Sequence, residues 1–377
     1  MKNEKMSFRE ATIKIFEGNI VPFTLFQPRI EPWYNWHSSQ NLLPEKYGDL
    51  SLMGLFNLLD VSMRYLNSGT GIPSPVVFEY DGKVRFTEKT EEERKQIVIE
   101  TPYGELVHTF KKGYLNRWLT FEFPVKKKED FKKLSWLYSH TNISFAKRFF
   151  ELGDEFFGER GYPQFFVPRS PYQALWIQWM KFEDLIYALQ DYRETVEETM
   201  KAIKQSYDGL YQQIISYGKV RIVNFGENID SNTVPPRYFE RYCIPFYEER
   251  AKQLQKAGIH THIHIDGSFH SLLGYLKHLP FSALEALTPL PQGDVTIEEI
   301  KENIGDKILI DGIPGILFLP EYSREDLMEC VEKLVKLFAP RLILGISDEL
   351  PEGAQFEESM ERIKLVAEYC RKTAKEV

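Results

Sequence analysis

The 377-residue sequence predicts an α/β fold, a (β/α)8 TIM barrel with a β-rich hairpin insertion. Three observations predict it. Short β-branched runs alternate with helical runs through the C-terminal half, which is the pattern of parallel βαβ units. About eight such strands can be counted, which suits a barrel better than an open sheet. No G-x-G-x-x-G follows the first strand, which argues against a dinucleotide-binding sheet.

Taken in order, a strand is expected over 21–27, and 75–80 is a further candidate for the parallel set. Residues 84–86, 96–100 and 118–123 are β-rich runs with turn signals between them. They place the insertion at about 81–124 of a single domain spanning 1–377. The charge run 126–130 reads as a solvated helix start. A strand at 164–167 precedes a long helical stretch, 182–217. The strand at 219–225 ends at Gly226-Glu227-Asn228. Pro235-Pro236 then opens a helix to about Lys256, because proline suits a first helical turn.

The next strand covers 260–266, and a helix through 272–276 leads to a strand at 281–287. Thr296 and Glu299 have capping-box spacing, and Gly305 can stop the helix they open. A strand at 307–310 ends at Asp311-Gly312. Ser323 and Asp326 repeat the capping pattern before a helix to about Phe338. The last strand, 341–344, ends at Gly345-Ile346-Ser347-Asp348-Glu349, and a final helix covers about 356–373.

Composition narrows the function classes. Lys+Arg is 47 and Asp+Glu is 55, giving a formal charge of -8. No basic stretch recurs with aromatics, so nucleic acid is not an expected partner. Cys243, Cys330 and Cys370 lack any C-x-x-C spacing, which suggests a reducing compartment. The first residues have no apolar core, and no apolar run reaches about 18 residues. A cytoplasmic chain with no membrane partner is the expectation.

The candidate chemistry centres on His260-Thr261-His262-Ile263-His264-Ile265-Asp266-Gly267. Strict alternation puts three imidazoles and a carboxylate on one strand face and Thr261, Ile263 and Ile265 on the other. Gly267 then lets the chain turn away. Barrels of this kind carry their active sites at the C-terminal strand ends. Those ends hold Gln27, Arg29, Arg169, Glu227, Asn228, His264, Asp266, Asp311, Ser347, Asp348 and Glu349. Glu227, His264, Asp266 and Asp348 offer oxygen and nitrogen donors suited to a first-row metal. Arg29 and Arg169 offer planar forks for an anionic substrate.

Several of these segments resemble the uroporphyrinogen decarboxylase superfamily. The likeness lies in His262-Ile263-His264-Ile265-Asp266-Gly267, in the run from Glu285 to Asp294, and in the run from Ile343 to Glu349. Gly226-Glu227-Asn228, Val21-Pro22-Phe23 and Trp33-Tyr34-Asn35 share it. The resemblance is nearest to the cobalamin-dependent methyltransferase-like members, which bind zinc through a His-x-Cys pair and a distant Cys. Here the pair reads His264-x-Asp266, and the distant position reads Asp348, so carboxylates replace both thiolates. That departure puts thiol activation in doubt, since such a site is less thiophilic.

The resemblance implies a methyltransferase of anaerobic one-carbon metabolism, moving a methyl group from a small methoxy or methylated substrate to a corrinoid protein. Zn2+ would be held by His264 and Asp266 with Glu227 or Asp348, with His264 and Asp266 as the catalytic pair. Gln27, Arg29, Arg169 and Asn228 would bind substrate. The implied partners are a small-molecule substrate, a corrinoid protein and a second copy of the chain as a homodimer. The alternative is a metal-free carboxy-lyase acting on a polycarboxylate, with His264 as proton donor. The decarboxylase's arginine-rich N-terminal segment is not found; Phe26-Gln27-Pro28-Arg29-Ile30 stands in that area. A barrel that only binds a ligand is the third reading.

Overall fold

Buried, β-branched runs become the strands of a parallel sheet. Ile308–Pro314 and Leu342–Ser347 are buried along their whole length, as expected of strands covered on both faces. In the computed structural model the described residues are 6–67, 69–113, 117–347 and 349–373. Their strands in chain order are β1 (Leu25–Phe26), β2 (Met63–Tyr65), β3 (Val76–Tyr80), β4 (Arg85–Thr90), β5 (Arg94–Thr101), β6 (Gly104–Lys112), β7 (Trp118–Glu122), β8 (Thr141–Phe145), β9 (Gly161–Gln164), β10 (Phe166–Val167), β11 (Ile222–Phe225), β12 (His260–His264), β13 (Ala283–Glu285), β14 (Ile308–Pro314) and β15 (Leu342–Ser347).

Among the described residues one sheet holds seven strands in the order β1, β15, β14, β13, β12, β11, β10. All its pairs are parallel. This is compatible with a TIM-barrel-like fold, and the strands expected near 164–167, 219–225, 260–266, 281–287, 307–310 and 341–344 are its parallel neighbours. β2 pairs in parallel with β9. Ser62 N donates to Phe26 O at 3.0 Å beside β1, and Asn224 N donates to Phe165 O at 3.0 Å between β9 and β10. Helices separate the later strands. The helices Ile297–Ile304 and Arg324–Phe338 begin at Thr296–Glu299 and Ser323–Asp326 capping boxes, each worth about 1 kcal/mol at the cap.

The helical stretch expected at 182–217 is present as three helices, Phe182–Asp191, Arg193–Ser206 and Asp208–Tyr217. Three expectations need correction. The 75–80 strand pairs antiparallel with β8, outside the seven-stranded sheet. The turn of helix at 272–276 is a 3-10 helix, His270–His278. The charge run is not simply solvated: Asp130 is buried and accepts from Lys126 N at 3.0 Å and Lys127 N at 3.2 Å. Its carboxylate therefore satisfies open N–H groups at the start of Lys128–Ser139. In the 81–124 region, β4, β5, β6 and β7 form a four-stranded antiparallel sheet. No helix among the described residues is long and apolar enough to cross a membrane.

Candidate active site

A cavity of about 520 Å³ opens at the C-terminal ends of the strands, and Arg29, Arg169, Glu227, Asn228, His264 and Asp266 line it. β12 delivers His264 at its last residue, and Gly267 turns the chain away with φ +73°. Gly226 follows β11, and a Cβ there would lie 2.6 Å from the Phe166 ring. Glycine there lets β10 pack closely, so the loop after β10 meets the end of β11.

That meeting builds one wall. Ser170 N donates to Glu227 Oε1 at 2.6 Å, and Ser170 Oγ donates to Oε2 at 3.2 Å. Arg169 donates to Asn228 Oδ1 at 2.5 Å, and Asn228 Nδ2 donates to Asp266 Oδ2 at 3.4 Å. Burial pushes Glu227 up to about 7, against the opposing Ser170 N–H and the Arg169 charge. On the other wall Arg29 lies 3.6 Å from Glu349 and 5.2 Å above the Tyr65 ring.

Beneath the cavity is a charged interior. Glu285, at the end of β13, is wholly buried. Its Oε2 lies 3.0 Å from His262 Nδ1, and its Oε1 lies 3.6 Å from His264 Nδ1. Tyr65 OH donates to Glu285 Oε2 at 2.5 Å, and Asn224 Nδ2 donates to the same oxygen. Arg64 sits 3.7 Å from Glu285 and donates to Asp311 at 2.7 Å. Burial alone would raise Glu285, but Arg64, His262 and His264 hold it well below the ordinary carboxylate range. Burial lowers His262 despite Glu285. For His264 burial also acts downward, but Glu285 and then Asp266 outweigh it and raise the imidazole. Asp311 is pushed up to about 7 by burial, against Arg64 and with help from Glu285. Ala286 and Asp311 both hold left-handed backbone, at φ 62° and 77°, a strained state for non-glycine residues.

The structure thus brings six of the expected site residues to one cavity. Gln27 is elsewhere: it is buried, and its amide donates to Thr12 at 3.1 Å and Ser62 at 2.9 Å. Asp348 lies outside the described residues. Arg64, Tyr65, Asn224 and Glu285 were not among the expected site residues. Glu285 alone carried a signal, as a carboxylate closing a short apolar strand.

The zinc expectation can be tested on the donor set. A catalytic zinc takes three protein ligands. Both Glu227 oxygens are engaged by Ser170. His264 Nε2 and Asp266 Oδ2 are 4.0 Å apart, whereas two donors on one tetrahedral ion are separated by about 3.4 Å. Among the described residues no three His, Cys, Asp or Glu side chains are grouped to hold an ion. The described residues by themselves do not fit a zinc centre.

No family model matches the chain, and no curated protein matches it. The chain is similar in structure to a methyltransferase from Methanosarcina mazei, with a TM-score of 0.58 and 8% identity, over 97% of this chain and 99% of that one. A B12-independent methionine synthase from Shewanella sp. W3-18-1 gives a TM-score of 0.47 at 12% identity, over 94% and 98% of the two chains. The first likeness shows a shared fold. The second is too distant to bear on the argument.

Proposed function

We propose that the chain is an enzyme of the uroporphyrinogen decarboxylase superfamily that removes a methyl group from a small anionic methoxy or methylated substrate. The proposed acceptor is a corrinoid carried by a partner protein. The observation that carries this reading is His264, set between Glu285 and Asp266 in a cavity that also holds Arg29 and Arg169. The full-length likeness in fold to a methyltransferase supports it as analogy only. We further propose a single cytoplasmic barrel domain over 1–377, with the β4–β7 sheet as its insertion at 81–124.

In this reading the two guanidinium groups hold the substrate's carboxylate through paired charge-assisted hydrogen bonds. Glu285 and then Asp266 raise the imidazole of His264 against burial and so favour its charged form. The methyl group would pass to an electron pair of the reduced corrinoid, and the pair of the broken methyl–oxygen bond stays on oxygen. His264 gives that oxygen a proton and is left neutral, which is general acid catalysis of leaving-group departure.

The test is incubation with methoxybenzoate or methoxyacetate and reduced cobalamin, following the demethylated product by mass spectrometry. Product from wild type and a loss of about 100-fold or more in His264→Ala is the expected result. The same two arginines beside an imidazolium also suit the lyase reading, with His264 protonating the carbon that carbon dioxide leaves. Release of carbon dioxide from a polycarboxylate without any demethylation would replace the first reading with the second. Absence of both reactions would leave a ligand-binding barrel.

A further inference from the structure

Glu227 was expected as a metal ligand, yet its hydrogen bonds point to another role. Both its carboxylate oxygens face Ser170, the residue after Arg169, at 2.6 and 3.2 Å. The next residue, Asn228, accepts from Arg169 through its side chain and from Gln173 Nε2 at 2.9 Å through its backbone carbonyl. Two consecutive residues after β11 therefore grip Arg169 and Ser170 of the loop after β10 and Gln173 of the short helix Pro171–Ala174. Glu227 and Ser170 are both buried, so the grip is shielded from water. Arg169 is only half-buried and lines the same cavity.

We propose that Glu227 is a positioning residue for an oxyanion arm: it fixes the Arg169–Ser170 segment so that the guanidinium meets the substrate's anionic group. The proposal rests on the anionic-substrate reading above and adds the group that orders its binding arm. It predicts a sign that simple electrostatics does not. Glu227 is close enough to Arg169 for their charges to interact. If Glu227 acted only through its charge, removing it would strengthen anion binding, because opposite charges compete for the guanidinium. If it positions the arm, removing it weakens binding although the cation remains.

The probe is inorganic sulfate at neutral pH, titrated calorimetrically into the full-length protein. Wild type is expected to bind one sulfate saturably, and Arg169→Ala to lose it. Glu227→Gln keeps an oxygen facing the Ser170 N–H and is expected to stay within about twofold of wild type. Glu227→Ala is expected to bind about tenfold more weakly, the size of one lost charge-assisted hydrogen bond. Near-UV circular dichroism checks folding. If Glu227→Ala does not fold, Glu227→Asp keeps the charge but loses the reach, and the same weakening is expected. Sulfate binding unchanged or tighter in the folded Ala or Asp variant overturns the positioning role alone. Binding that survives Arg169→Ala overturns the arm. No saturable binding in wild type overturns the anionic-substrate reading and the arm together.

Discussion

Glu227 and Glu285 close neighbouring parts of one sheet, and both are buried, yet their pKa values move in opposite directions. Glu227, at the end of β11, meets neutral donors from Ser170, and burial pushes it up to about 7. Glu285, at the end of β13, meets Arg64 and two imidazoles, and these hold it well down. Burial penalises both carboxylates; Ser170 and Arg169 offset it only in part at Glu227, whereas Arg64, His262 and His264 more than offset it at Glu285. The carboxyl that grips the Arg169 loop therefore holds its proton up to about pH 7, while the floor under His264 is a fixed negative charge. The proposed proton donor, over the second, and the proposed anion-binding arm, set by the first, would have separate electrostatic supports.

The largest expected effect comes from deleting the charged floor. Glu285→Ala leaves Arg64, His262 and His264 without their shared acceptor in a site closed to water. Breaking a buried ion pair from one side costs about 3–5 kcal/mol. Urea unfolding at pH 7 measures this directly. A loss below about 1 kcal/mol would mean that the interior relaxes to admit water and that Glu285 is not the fixed charge described.

The pH dependence should separate the two carboxyls more sharply. Glu227 has a raised pKa in the folded chain, so its contribution is fully present below its ordinary value of 4.5 and is lost as pH rises to about 7. That loss amounts to roughly 3 kcal/mol, at about 1.4 kcal/mol per pKa unit. Glu285 has a depressed pKa, so its contribution is present above 4.5 and is lost as pH falls through its lower folded value. Stability profiles of Glu227→Gln and Glu285→Gln should accordingly flatten on opposite sides of pH 4.5. Profiles that flatten on the same side would break the comparison.

The sequence made one of these regions legible and left the other half hidden. Alternation in 260–266 placed His264 and Asp266 on one face, and the repeated strand–helix pattern placed them at the same end as Arg169 and Glu227. Periodicity reports side-chain direction, so it reads strand ends well. It says little about Arg64: β2 has only three residues, too few to show a period, and arginine is rarely buried unless paired. Its pairing with Glu285 and Asp311 spans more than two hundred residues of chain. The role of Glu227 was hidden for a related reason. A carboxylate at a strand end reads equally as ligand, base or loop anchor, and only the position of Ser170 chooses among them.

The smallest effect sharpens the neutral wall. Ser170→Ala removes the hydroxyl that donates to Glu227 Oε2 at 3.2 Å and keeps the backbone N–H at Oε1. One neutral donor contributes about 1 kcal/mol net. The Ser170 hydroxyl favours the ionised form of Glu227, so its removal should matter more where that form is populated. The loss measured by urea unfolding should be larger at pH 8 than at pH 5, because Glu227 is mostly charged at the first and protonated at the second. Equal losses at the two pH values would show that the hydroxyl only fills space. A gain at pH 8 would show that Glu227 keeps its proton through neutrality without help from its partner.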